Sequence, residues 1–345
     1  MGYNDDATLA LKLCGTICLI RACMYTIYPE TLTSIIGYPP APAAGGWGKK
    51  AGNGPSEEDV LSVIISVQFY GLVQGGIAGL CLSTARVGHP YTMSVVSTVL
   101  GTLFFVLCVY ASSVLGKEGL EHVNSGVIKK VVAPLGALSV YMLYVGVSGV
   151  RKAAPAGEPL GKSGKMMAVV SVFSMMQGLV PLFLTDKYIA SFGLSIAHPS
   201  TEGTVKLMLR MWGMSLVAGS FARFGVVYAT HTDSIYAACR ALVIYLSQVG
   251  SSLMMVSSYP GFNPNPKSNP NSNPNPNPNL DPDPRPNPNP NQLKSLGKAN
   301  RESLGYQCLL VTFYFFLTYF GGIIADDNAA VEAKSAASKG KKGKK

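Results

Sequence analysis

Six basic residues lie inside apolar runs of this chain: Lys12, Arg21, Lys206, Arg210, Arg223 and Arg240. A lone cation in hydrocarbon costs about 2.5 kcal/mol or more, so each needs an acid, a carbonyl, a lipid phosphate or a route to the surface. The runs themselves offer no acids. All 18 Asp and Glu lie in the connecting segments and at the chain ends. Proton and cation carriers rely on intramembrane carboxylates as relays, so this distribution argues against a proton-coupled pump. Lys12, Arg21 and Lys206 stand near the ends of their runs, where a long side chain can snorkel to the interface. Arg210, Arg223 and Arg240 are the stronger candidates for contact with lipid headgroups or with acids of a partner. The same three would also suit a small organic anion held between two halves of the chain.

Other chemistry has little to work with. The four His (His89, His122, His198 and His231) fall in loops or at the ends of the apolar runs, so no facing pair could ligate a haem and no convergent set could hold a metal. The seven Cys lie in apolar runs without CxxC spacing and read as buried thiols, not as a zinc site or a disulfide framework. No GxSxG, HExxH, Walker loop or dinucleotide fingerprint occurs. The expectation is therefore a protein without catalytic residues, metal or cofactor, structural phospholipids aside. A run of five Lys in residues 339–345 is a solvated end or a contact for anionic surfaces. Nucleic acid is not an expected partner.

The elements that must position these residues follow from composition. Of 345 residues, 48% are hydrophobic and only 13% charged, and mean hydropathy is +0.26. Soluble domains carry about 25% charged residues, so an ordinary soluble enzyme is excluded. A spanning helix needs about 20 mostly apolar residues. Eight runs qualify, at 7–28, 60–82, 93–115, 131–150, 166–184, 206–228, 235–256 and 303–324. The fold class expected is all-α integral membrane, with both ends on one side. Lys and Arg in the loops tie at eleven per side, so the positive-inside rule leaves orientation open. The short-loop cluster Arg151, Lys152, Lys162 and Lys165 favours ends in the cytosol or matrix.

The eight runs divide into two like sets. Tyr70-Gly71 matches Trp212-Gly213, and His89-Pro90 matches His231-Thr232, at one shared offset of 142 residues. Tyr144-Val145-Gly146 matches Tyr319-Phe320-Gly321. Short segments Glu30–Gly37 and Asp186–Gly193 lie between the first and second runs of each set and read as interfacial helices ended by Gly. The organisation expected is two tandem four-helix bundles, residues 1–152 and 153–324, then a basic tail, 325–345. Gly71, Gly75 and Gly79 at spacing four should form a close-packing face, with Gly213 and Gly219 serving in the second unit. A Pro/Asn-rich loop, 260–293, interrupts that unit. Twelve of the 23 Pro fall in it, and Pro blocks both helix and sheet. It reads as an extended extramembrane strap along a partner, with Asn263, Pro276, Pro284 and Arg285 as representative contact residues.

In the second set, Arg210-x-x-Gly213 with an aromatic at Trp212, then Ser215, Ala218, Arg223 and Tyr228, followed by the run Ile235–Ser251, resembles the four-helix scaffold family of the endoplasmic reticulum known from ergosterol biosynthesis. The likeness covers roughly Leu179 to Met254. It implies a four-helix membrane fold and a non-enzymatic scaffold that holds sterol-modifying enzymes together. Members have one unit where this chain has two, and Gln68 and Cys81 stand in the first unit where Arg210 and Arg223 stand in the second. Taken together, the residues point to a non-catalytic multi-pass scaffold or accessory subunit of a large membrane complex, contacting lipids and neighbouring subunits. The setting expected is the respiratory chain of the mitochondrial inner membrane. The alternatives are a transporter of a lipid or small organic anion and an endoplasmic reticulum scaffold.

Overall fold

A computed structural model describes residues 3–38, 54–114, 120, 123, 125–257 and 309–331. The Pro/Asn-rich strap, with Asn263, Pro276, Pro284 and Arg285, lies outside the described residues, as does the Lys-rich end. Among the described residues the chain is all-helical, with no strand. The order is α1 (Tyr3–Ile27), α2 (Pro29–Ile35), α3 (Glu57–Val87), α4 (Pro90–Val114), α5 (Ser125–Val150), α6 (Lys162–Phe183), α7 (Thr185–Phe192), α8 (Pro199–Tyr228), α9 (Thr232–Ser257) and α10 (Leu309–Val331). Within α10, Leu317–Ile324 winds as a π-helix.

The helices overrun the apolar runs because capping residues carry them past the hydrophobic stretch. Ser56 and Asp59 form a reciprocal capping box that starts α3 at Glu57. His198 and Pro199 start α8 seven residues before the apolar run begins. Several acids read as lying outside the helices are therefore inside them: Asp59, Glu202 and Asp233 in first turns, and Asp326 within α10. The last helix continues to Val331, so residues 325–331 belong to it and not to a basic tail. The two short segments are helical, and Gly37 and Gly193 beyond them adopt φ of 82° and 60°, as expected of αL caps.

Six helices are long and apolar enough to cross a membrane: α1, α3, α4, the stretch Val132–Val150 of α5, α6 and α10. The two long helices that fall short are α8 and α9. In α8, eighteen of thirty residues are buried, because α3, α4 and α6 sheathe it. A helix surrounded by protein does not need a lipid-compatible surface.

The closest pairings are α1 with α3, α4 with α5, and α6 with α8. Across the two halves, α3 packs on α8 and α9, and α4 packs on α8, more extensively than α3 meets α4 or α8 meets α9. The halves thus interlock around α3 and α8. One apolar cluster takes in Leu11, Ile77, Leu100, Met142, Met167, Ala222, Ala238 and Ile323 from all eight long helices. A second, towards the opposite end, holds Tyr25, Tyr38, Phe69, Tyr188 and Trp212.

Glycines set the closest crossings. A Cβ on Gly213 would sit 2.6 Å from the Gly178 carbonyl, and one on Gly71 2.7 Å from the Tyr25 Cβ. Each brings the second long helix of its half against the first. Gly71, Gly75 and Gly79 do not serve one neighbour. Gly71 faces α1, whereas Gly79 faces Ala241 of α9 at 3.3 Å, and Gly75 between them is half-buried. Eight helical positions turn through about 80° beyond two full revolutions, enough to pass from one neighbour to the next. Gly101 and Gly146, neither read from the sequence as a packing position, join α4 to α5 in the same way.

Candidate functional site

The two ends of the bundle are locked differently. At the end holding the N-terminus of α1, the turns before α4 and α9 bring His89 and His231 into a parallel stack, centroids 4.2 Å apart and planes within 7°. Each ring caps its own helix. The N–H of Thr92 donates to His89 Nδ1 at 3.3 Å, and that of Ser234 to His231 Nδ1 at 3.3 Å. The residues one before them, Gly88 and Thr230, both take positive φ, 73° and 50°. Glu158, in the segment joining α5 to α6, accepts the Thr232 N–H at 2.6 Å. That bond and the Thr232 hydroxyl hold the Glu158 carboxyl below the usual range, while burial and then the neighbouring His231 lower His89, against the opposing pull of Glu158. His198 caps α8 through the Ser200 N–H at 3.2 Å, and His122 lies outside the described residues.

At the other end, buried Asp59 joins the halves. Its Oδ2 caps α3, and its Oδ1 accepts the Ser195 hydroxyl at 2.9 Å and the Ala197 N–H at 3.0 Å. Tyr38 and Thr201 share a hydrogen bond of 2.7 Å nearby.

The basic residues of the apolar runs fall into distinct settings. Lys206 is ion-paired to Glu202 at 2.6 Å and Asp186 at 2.8 Å. This corrects the expectation that no acid lies at its depth: the earlier start of α8 puts Glu202 one turn away, and α7 folds Asp186 back beside it. Arg210 donates to the Thr185 hydroxyl at 3.2 Å and to Tyr110 of α4 at 3.4 Å, tying the halves together. Gln68, its counterpart, reaches the Thr26 carbonyl at 3.4 Å, so Gln68 ties α3 to the end of α1 and Arg210 ties α8 to the start of α7. Arg240 is exposed and lies over the Tyr236 ring, 4.5 Å from its centroid. Lys12 is exposed on the outer wall of α1, between Leu9 and Leu13, themselves 40% and 45% exposed. The three arginines do not converge on one site between the halves.

Arg223 is different. It is 7% exposed and meets three serine hydroxyls: Ser171 at 3.3 Å, Ser174 at 2.9 Å and Ser220 at 3.1 Å. It lines a partly open cavity bounded by α3, α6, α7, α8, α9 and α10. Trp212, Tyr188 and Phe69 form an aromatic group at the other end of it, with Tyr188 and Trp212 centroids 5.5 Å apart. A second cavity occupies the first half and is lined by Arg21, Tyr25, Leu32, Tyr70 and Cys108 among others, with α8 bounding it. Tyr70 and Trp212 hold matching positions in the two. So each half encloses a cavity with a single arginine, completed by the central helix of the other half. Sequence reasoning singled out the arginines. It missed Ser171, Ser174 and Tyr188, because a serine in an apolar helix carries no signal until its neighbour is known.

No group of three metal-ligating side chains occurs among the described residues. No family model, curated protein or solved structure matches this chain.

Proposed function

We propose that the chain crosses its membrane eight times, as two like four-helix units interlocked through α3 and α8, and that it serves as a non-catalytic accessory subunit of a larger membrane assembly, contacting lipids and neighbouring subunits. The repeated order of one long, one short and three long helices supports the paired units, as do the matched glycines Gly71 and Gly213 and the matched caps His89 and His231.

One observation carries the subunit reading. Lys12 stands about 13 Å into α1, on a wall of exposed aliphatic side chains. Left facing lipid, that ammonium costs at least about 2.5 kcal/mol at mid-span unless it snorkels; an acid on a neighbouring subunit would remove the cost. The setting we favour is the mitochondrial inner membrane, where accessory subunits of energy-transducing complexes are common. The endoplasmic reticulum is the alternative that the sterol-scaffold resemblance suggests. Mild detergent extraction, a native gel and mass spectrometry of the band test the proposal. Wild-type protein should migrate with other membrane proteins, and Lys12→Glu should release it. A wild-type monomer band would contradict the reading.

The second reading, a carrier of a lipid or organic anion, is favoured by the cavity around Arg223. It requires that the cavity open alternately to the two faces.

A further inference from the structure

The guanidinium of Arg223 has five N–H donors. Nε and Nη2 are spent on Ser171, Ser174 and Ser220. Nη1 has no hydrogen-bond partner among the described residues, and it lies 3.5 Å from where a Cβ on Gly219 would be, with Gly219 itself lining the cavity. Two of the three serines are already committed as donors, Ser171 to the Met167 carbonyl and Ser220 to that of Leu216. They can accept from Arg223 but bring no charge. Arg223 itself makes no ion pair to an acid among the described residues. A buried cation thus faces a cavity with neutral partners and no counter-charge, an arrangement that is unfavourable unless an anion joins it. Elsewhere in the same cavity the Tyr188 hydroxyl is buried and unpartnered.

Apart from Gln177, Ser215 and the tyrosines, the rest of the lining is apolar, with Val73, Ile77, Val170, Leu242 and Leu246 among its walls. From Trp212 to Arg223 the cavity follows eleven residues of α8, about 16 Å. A small inorganic anion would satisfy the charge and leave these walls empty. A neutral lipid would fill the walls and leave the charge. Only a molecule with one anionic oxygen group and a long apolar chain answers both.

We propose that Arg223, with Ser174 and the space over Gly219, binds the carboxylate or phosphate of an anionic amphiphile inside the bundle, its hydrocarbon chain lying along the cavity towards Trp212. The site is built within this chain and stands whether or not the chain has protein partners.

Trp212 provides the probe. The chain has two Trp, so in Trp47→Phe protein only Trp212 reports. The full chain is reconstituted in phosphatidylcholine vesicles and titrated with dibromostearate, with dibrominated phosphatidic acid and with dibrominated phosphatidylcholine, bromine being a contact quencher. Saturable quenching is expected with one or both anionic amphiphiles. Quenching by dibromostearate alone assigns a free carboxylate, and quenching by the phosphatidic acid alone a phosphate headgroup. The half-saturating concentration should rise at least tenfold in Arg223→Gln and less in Arg223→Lys. Gly219→Val keeps the charge but fills the space beside Nη1, and should also weaken quenching tenfold. Arg240→Gln, on the exposed surface, should leave it unchanged. Equal quenching by the neutral and anionic probes, or a Gly219→Val protein that melts like wild type and binds like it, would overturn the assignment.

Discussion

The stacked imidazoles show how much a single side chain can decide. His89 and His231 accept cap hydrogen bonds through Nδ1 and lie face to face at 4.2 Å. Protonating either would remove a cap and place a cation at the positive end of a helix dipole, against its neighbour. Burial and His231 lower His89, so the unfolded chain binds that proton more tightly than the folded one. Stability from this group is full above the unfolded value of about 6.5 and is lost as pH falls through the lower folded value. The melting temperature in detergent should therefore drop between about pH 7 and pH 5, a window set by the histidine rather than by Glu158, whose depressed carboxyl titrates lower still. His89→Asn, which can still cap α4, should flatten the dependence over that window; an unchanged slope would show that the pair does not control it. The histidines' repetition was legible in the sequence. Their stacking was not, because it depends on the halves turning their α3–α4 and α8–α9 corners towards each other.

Among the elements, the long helices and the two short interfacial ones were legible, since apolar runs and terminal glycines are local signals. Helix ends were less so. The capping box at Ser56 and Asp59 extends α3 beyond the run read from hydropathy, and the same aspartate then reaches the segment before α8. That second role depends on a contact 136 residues away in sequence, which no window of sequence contains. Asp59→Ala removes the cap and leaves the Ser195 hydroxyl and Ala197 N–H without their acceptor. A loss of roughly 2–4 kcal/mol is expected, read as a lower melting temperature with faster proteolysis of the α7–α8 segment. A melting temperature within error of wild type would mean the tether is not part of the fold's stability. Gly75 illustrates the opposite error. Its spacing with Gly71 and Gly79 is regular, but the helix presents the three to more than one neighbour, because spacing says which residues share a side and not how wide that side is.

At the scale of the molecule, the sequence suggested two tandem bundles; the helices of the two halves interlock, with α3 and α8 at the centre and each half completing the other's cavity. That arrangement explains why α8 combines Arg210, Arg223 and several serines with a place inside the bundle. It also bears on the number of crossings. Hydropathy admits six helices, whereas the reading we propose has eight, with α8 and α9 shielded by their neighbours. The two counts disagree on where the α8–α9 turn lies. Single cysteines at Arg86, Lys187 and Asp233, all exposed, introduced with Cys23 and Cys308 changed to Ser and probed with a membrane-impermeant maleimide in sealed, oriented vesicles, decide the matter. Arg86→Cys and Asp233→Cys should react from the same face and Lys187→Cys from the opposite one. Asp233→Cys reacting with Lys187→Cys instead would place α8 and α9 outside the membrane and contradict the eight-span, two-unit account.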